Sequence, residues 1–134
     1  MRQIVSSAFA KASPARAVGA GPKTKELVDK VHALMKRYSI KPAAFYVADN
    51  LSRLQFKGTF GQGVKAKDVK RYGGLSGKPV VLDVTVSPGR QVWVAIKAWK
   101  GDTSISLALP KRDLGTTFAV VQRAVQQLLD GVLA

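Results

Sequence analysis

The hydrophobic period of the chain changes twice, near residue 40 and near residue 113. In "PKTKELVDKVHALMKRYSI", from Pro22 onward, Leu27, Val31, Leu34 and Met35 recur at i, i+4, i+7 and i+8, one apolar stripe on a helix. Pro22 or Thr24 can begin this helix, with Glu26 in the first turn, Lys36 and Arg37 in the last, and Pro42 as a stop. The period then falls to two. "AAFYVAD" (43–49) is a short apolar run, and "RLQFKGTF" (53–60) alternates Leu54, Phe56 and Phe60 against Arg53, Gln55, Lys57 and Thr59. "PVVLDVTVS" (79–87) puts Val80, Leu82, Val84 and Val86 on one face. "QVWVAIKAWK" (91–100) sets Val92, Val94, Ile96 and Ala98 against Trp93, Lys97 and Trp99, and "TSISLALP" (103–110) sets Ile105, Leu107 and Leu109 against Ser104, Ser106 and Ala108. Pro88-Gly89 and Gly101-Asp102 mark turns. In the last 24 residues Phe118, Val121, Val125, Leu128, Leu129 and Val132 form a broad helical stripe, with Asp113, Thr116 or Thr117 as its cap.

The order is therefore helix, about four strands joined largely by short turns, helix. Consecutive strands with tight turns make an antiparallel sheet. The expected fold class is α+β: a curved antiparallel sheet of about four strands covered by a C-terminal helix, with an extra N-terminal helix. Residues 22–134 are expected to form one domain, and 46% apolar content is enough for one core. Residues 1–21 have no acid and are rich in Ala, Ser, Arg and Lys, the composition of a basic flexible arm or of a mitochondrial or plastid leader.

Charge narrows the function. The chain has 22 Lys and Arg against 8 Asp and Glu, net +14, an imbalance that attracts polyanions. Between 53 and 78, Arg53, Lys57, Lys65, Lys67, Lys70, Arg71 and Lys78 meet only Asp68. Most of these cations lie in a Gly-rich stretch that reads as a loop or a poorly ordered edge hairpin, interleaved with Phe60 and Tyr72, a composition suited to wrapping a nucleic-acid strand. On the strand 91–100, Trp93, Lys97 and Trp99 share the face opposite the small branched residues, among polar neighbours. Aromatics among cations on a half-solvated sheet face can stack unpaired bases while the ammonium groups neutralise phosphate. The same tryptophans could instead pack across strands or into a subunit interface. The candidate nucleic-acid-binding residues are Lys57, Lys65, Lys67, Lys70, Arg71, Tyr72, Lys78, Trp93, Lys97 and Trp99. Val121, Val125, Leu128 and Val132 are expected to cover the sheet and to meet a second copy, giving a dimer or tetramer.

The stretch "TSISLALPKRDLGTTFAVVQRAVQQLLDGVLA" is similar to the end of the Whirly family of single-stranded-DNA-binding proteins, where a serine-and-aliphatic strand ends near a proline and a polar segment leads into an apolar helix. The succession of four strands and a helix also resembles the transcriptional-coactivator fold and the mitochondrial guide-RNA-binding proteins that share it. The resemblance covers residues 43–134 at the level of element order and 103–134 at the level of sequence. It implies a sheet that binds single strands and a helix used in self-association.

Other chemistry finds little support in the residues. There is no cysteine, so disulfides and thiolate metal sites are excluded, and no apolar run approaches a membrane span. His32 is the only histidine; it lies beside the apolar stripe and reads as a surface or boundary residue rather than a base, since a histidine acts as base only with a partner. "YGGLSGKP" fails as a phosphate loop, with Tyr72 where its first glycine belongs and Pro79 in place of Ser or Thr. The expectation is a non-catalytic nucleic-acid-binding protein without cofactor or metal, preferring single strands, DNA or RNA, with low sequence specificity. The alternative is a basic structural subunit of a ribonucleoprotein or virion assembly.

Overall fold

The structure, a computed structural model, describes residues 2–4, 22–47, 52–87, 91–111 and 113–134. Most of the expected arm or leader and the Pro88-Gly89 turn lie outside them. The elements are β1 (Arg2–Ile4), α1 (Pro22–Arg37), β2 (Ile40–Val47), β3 (Arg53–Phe60), α2 (Val69–Tyr72), β4 (Pro79–Val86), β5 (Gln91–Lys97), β6 (Asp102–Ala108) and α3 (Leu114–Val132). The six strands form one antiparallel meander in sequence order, β1 to β6. The fold is α+β, as the patterning predicts, but the sheet has five full strands and the three-residue β1 rather than about four.

Both helices lie on one side of the sheet. α3 packs on β5 and β6, α1 packs on β2, and the helices touch each other. The alternation explains this placement. Phe45, Phe56, Leu82, Ile96 and Thr103 form one cross-strand row, and Val47, Leu54, Val84, Val94 and Ile105 another. All the residues of these rows except Thr103 and Ile105 are fully buried. From the helices Val28, Val31, Met35, Val121, Val125, Leu128 and Val132 meet that face. The four α3 residues expected to serve self-association are at most 4% exposed within the single chain, so the helix leaves none of them for a second copy.

Local chemistry sets the element ends. Glu26 lies beyond the first turn of α1 and pairs with Lys30 at 3.0 Å. The helix ends before Pro42 because Ser39 takes a left-handed conformation (φ 61°), and its carbonyl accepts from the Gly61 amide at 2.7 Å. β2 can then begin at Ile40, opposite Phe60, and Pro42 is tolerated because the register shifts between Pro42 and Ala44. At the other end Asp113 caps α3, accepting from the Thr116 amide at 2.7 Å and the Thr116 hydroxyl at 2.9 Å.

Residues 61–78 are not a free loop. Tyr72 and Leu75 are buried, Ala66 bridges to Leu133, and the Lys67 amide donates to the Val132 carbonyl at 2.8 Å. The segment folds on the helix side of the sheet, where the Tyr72 hydroxyl meets Thr103 Oγ1.

Gly58 sits where β2 and α1 press closest to β3. A Cβ there would lie 2.7 Å from the Lys41 carbonyl oxygen and 2.8 Å from Ile40 Cγ2. Gly58→Ala is expected to lower the unfolding free energy by about 1–3 kcal/mol, as overpacking does. Gly131, in the last turn of α3, has nothing within 4 Å of such an atom. Gly131→Ala should leave the protein unharmed or stabilise it by up to about 1 kcal/mol through helix propensity. Urea unfolding of the two variants checks both signs.

Candidate functional site

The face of the sheet away from the helices carries the chemistry. Three cross-strand rows define it. The first is Arg53, Thr85, Trp93 and Ser106; the second is Tyr46, Gln55, Asp83, Ala95 and Ser104; the third is Ala44, Lys57, Val81, Lys97 and Asp102. Lys41 and Thr59 follow on β2 and β3. Residues directly opposite one another in an antiparallel pair share a face, so the pairings alone place these side chains together.

Trp93 and Trp99 are 45% and 53% exposed, so neither is a core residue. Lys78 holds its ammonium 4.3 Å from the Trp99 ring centre, and Lys57 lies 4.7 Å from that of Tyr46. Both are cation–π geometries. Between Trp93 and Lys97 the small side chain of Ala95 leaves a shallow depression of about 390 Å³, bordered by Asp83, Thr85, Ser87 and Ser104.

Asp83 is the buried acid of this face, 7% exposed. Arg53 grips it with two donors, Nε to Oδ1 at 3.0 Å and an Nη nitrogen to Oδ2 at 2.7 Å. Gln55 Nε2 donates at 3.3 Å, and Lys97 Nζ approaches to 3.5 Å. Burial by itself raises the Asp83 carboxyl. The hydrogen bonds from Arg53 and Gln55 and the charges of Arg53 and Lys97 outweigh it and hold the group below the ordinary carboxylate value. One carboxylate thus orders two cations that remain about half exposed, and the rows of the face keep a positive excess, with Lys41, Arg53, Lys57 and Lys97 against Asp83 and Asp102.

The sequence candidates divide. Lys57, Trp93 and Lys97 stand in the rows of the open face, while Lys78 and Trp99 lie against each other just before β4 and just after β5. Lys65 and Lys67 lie elsewhere, beside the C-terminal end of α3, where the Ala134 amide donates to the Lys65 carbonyl and Lys67 Nζ donates to the Asp130 carbonyl. Arg71 is exposed but donates to the Asp102 carbonyl, and Lys70 stands beside it on α2. Tyr72 is only 3% exposed, so its ring cannot stack a base. The Gly-rich segment is therefore not the strand-wrapping loop that its composition suggests. That segment packs under the opposite face, anchored by Tyr72, Leu75 and Ala66.

Sequence reasoning left out Lys41, Tyr46, Arg53 and Gln55 as site residues. Arg53 and Gln55 were visible in the alternation of 53–60, on the same side as Lys57. Tyr46 was hidden inside an all-apolar run. His32 lies apart from this face, its ring 6.0 Å edge-on from Phe56. Among the described residues no group of three His, Asp or Glu could hold a metal ion, and no described helix is long and apolar enough to cross a membrane.

Comparison with protein-family models, with curated proteins and with solved structures gave no match to the chain.

Two acid transitions follow from these environments. Burial is the main cause that lowers His32 from 6.5 to about 4, with Lys36 adding to it and Asp29 opposing. The folded state therefore disfavours protonation. The stability this contributes is complete above pH 6.5 and is lost as pH falls toward about 4. Asp83 has the opposite charge but the same sign of effect, because its depressed value makes stability fall further below pH 3.8. Unfolding free energy measured against pH should fall in both windows, and His32→Gln should remove the upper one alone.

Proposed function

We propose that this protein binds single-stranded nucleic acid on the open face of its sheet, without catalysing a reaction and with little preference for sequence. The observation that carries this reading is Trp93, about half exposed on a face whose ordered cations are Arg53, Lys57 and Lys97, with Trp99, also about half exposed and lying under Lys78, just past the end of β5. Two large rings left in water are unfavourable unless something apolar covers them. A surplus of cations beside them selects a partner that is both flat and anionic. Unpaired bases on a phosphate chain have both properties, whereas a duplex hides its base faces in the stack. Lys78 and Lys57 already lie against aromatic rings, so a phosphate could take each ammonium as a base takes the ring. The reading rests on this face and does not need the Whirly resemblance.

The charge count sets the salt dependence. If three or four of the cations each neutralise a phosphate, log K against log salt should have a slope of about −2 to −3, since each single-strand contact contributes roughly −0.7. Titration of a thymidine oligomer of about 20 nucleotides should quench tryptophan fluorescence, and Trp93→Ala and Trp99→Ala should each weaken binding by about 1–3 kcal/mol. Duplex of the same length should bind more weakly. Intact affinity with unquenched tryptophans would remove the stacking role, and equal affinity for duplex would remove the preference for single strands.

A further inference from the structure

The two edges of the sheet differ. β1 has three residues, whereas β6 runs from Asp102 to Ala108 in unbroken register with β5. Among the described residues nothing pairs with the outer side of β6. Such a strand presents a row of unpaired amide and carbonyl groups, and chains that stay single blunt it with lysine, proline or a bulge. From Thr103 to Leu109 there is none of these and no charge, although 22% of the chain is charged. On the helix side of this edge Ile105, Leu107 and Leu109 are only partly buried.

We propose that β6 pairs antiparallel with β6 of a second copy of this chain, joining two sheets into one of twice the width. An antiparallel strand placed against itself is self-complementary, as a two-fold interface requires. Centred on Ser106, the pairing sets Ile105 against Leu107 on the helix side and Ser104 against Ala108 on the open side. Charge favours a second copy at this place: two chains of net +14 repel each other, and here they meet along a strip that carries none. The apolar stripe Val121, Val125, Leu128 and Val132 of α3 does not compete for a second copy, because it is buried in its own chain. The inference goes beyond the nucleic-acid reading and does not depend on it.

The test uses the full chain without nucleic acid. Light scattering and sedimentation equilibrium, from about 1 µM to about 500 µM, should approach twice the 14.4 kDa chain mass. Ser106→Lys, which puts like charges opposite each other, should return the mass to that of one chain with its melting temperature kept. The chain has no cysteine, so Ser106→Cys gives a single reporter. Opposed residues in an antiparallel pair lie about 4.5–5.5 Å apart at Cα, within disulfide reach. Mild oxidation should therefore link Ser106→Cys into a dimer, and should not link Gln126→Cys, placed at an exposed position of α3. A wild-type chain that stays monomeric throughout this range overturns the proposal. So does a dimer that survives Ser106→Lys and does not cross-link through Ser106→Cys. A monomer whose β6 amides are protected from exchange would show another segment of the same chain on this edge, and also overturns it.

Discussion

Everything in this molecule depends on one sheet being sealed from one side. α1 and α3 both lie on the same face, and the buried side chains of β2 to β5 point to them. The inward residues are Val, Leu, Ile and Phe almost without exception, while the outward ones are mostly charged or polar, with Ala44, Tyr46, Val81, Trp93 and Ala95 among them. That asymmetry is written at a period of two along each strand, and a slip of one residue in any strand would exchange the faces. The open surface is therefore held in place by the core beneath it: Arg53, Trp93 and Lys97 each stand beside a buried aliphatic residue, Leu54, Val92 and Val94, and Ile96, that fixes the backbone.

Asp83 gives that surface its electrostatic order. A carboxylate in the middle of a cationic face could be expected to weaken its attraction for anions. Here it is nearly buried, and it fixes Arg53 with paired donors and draws Lys97 toward the same oxygen. The two side chains lose part of their rotational freedom before any ligand arrives, which lowers the ordering that binding would require. Lys57 and Lys78 are held differently, by the faces of Tyr46 and Trp99. The same surface thus uses two means, ion pairing and cation–π contact, to keep long flexible side chains in place.

Much of this was legible in the sequence. The helices were readable because their apolar residues recur at three and four, and β3 to β6 because theirs alternate. β2 was legible only in part. Its run Ala43–Ala44–Phe45–Tyr46–Val47 is apolar throughout, so nothing in it says that Tyr46 faces outward, and Pro42 reads as a break although a register shift accommodates it. β1 lies in a stretch whose composition is that of a tail, and its pairing with β2 follows from no local pattern. The segment 61–78 misled for a different reason. An aromatic among cations looks the same whether it is offered to a ligand or packed. The partners that decide the matter for Tyr72 and Ala66, Thr103 and Leu133, lie far along the chain.

The meander has a consequence for how the chain reaches this state. From β2 to β6 every strand pairs with its neighbour in sequence, so the sheet can grow hairpin by hairpin without a distant segment being threaded between strands. The exception is the contact of α1 with α3, which joins residues about ninety apart and closes the apolar face. Closing so large a loop costs entropy that only the assembled sheet can offset. The contact between the two helices closes at the lowest entropic cost when the strands between them are paired, because the paired sheet holds the ends of that loop together.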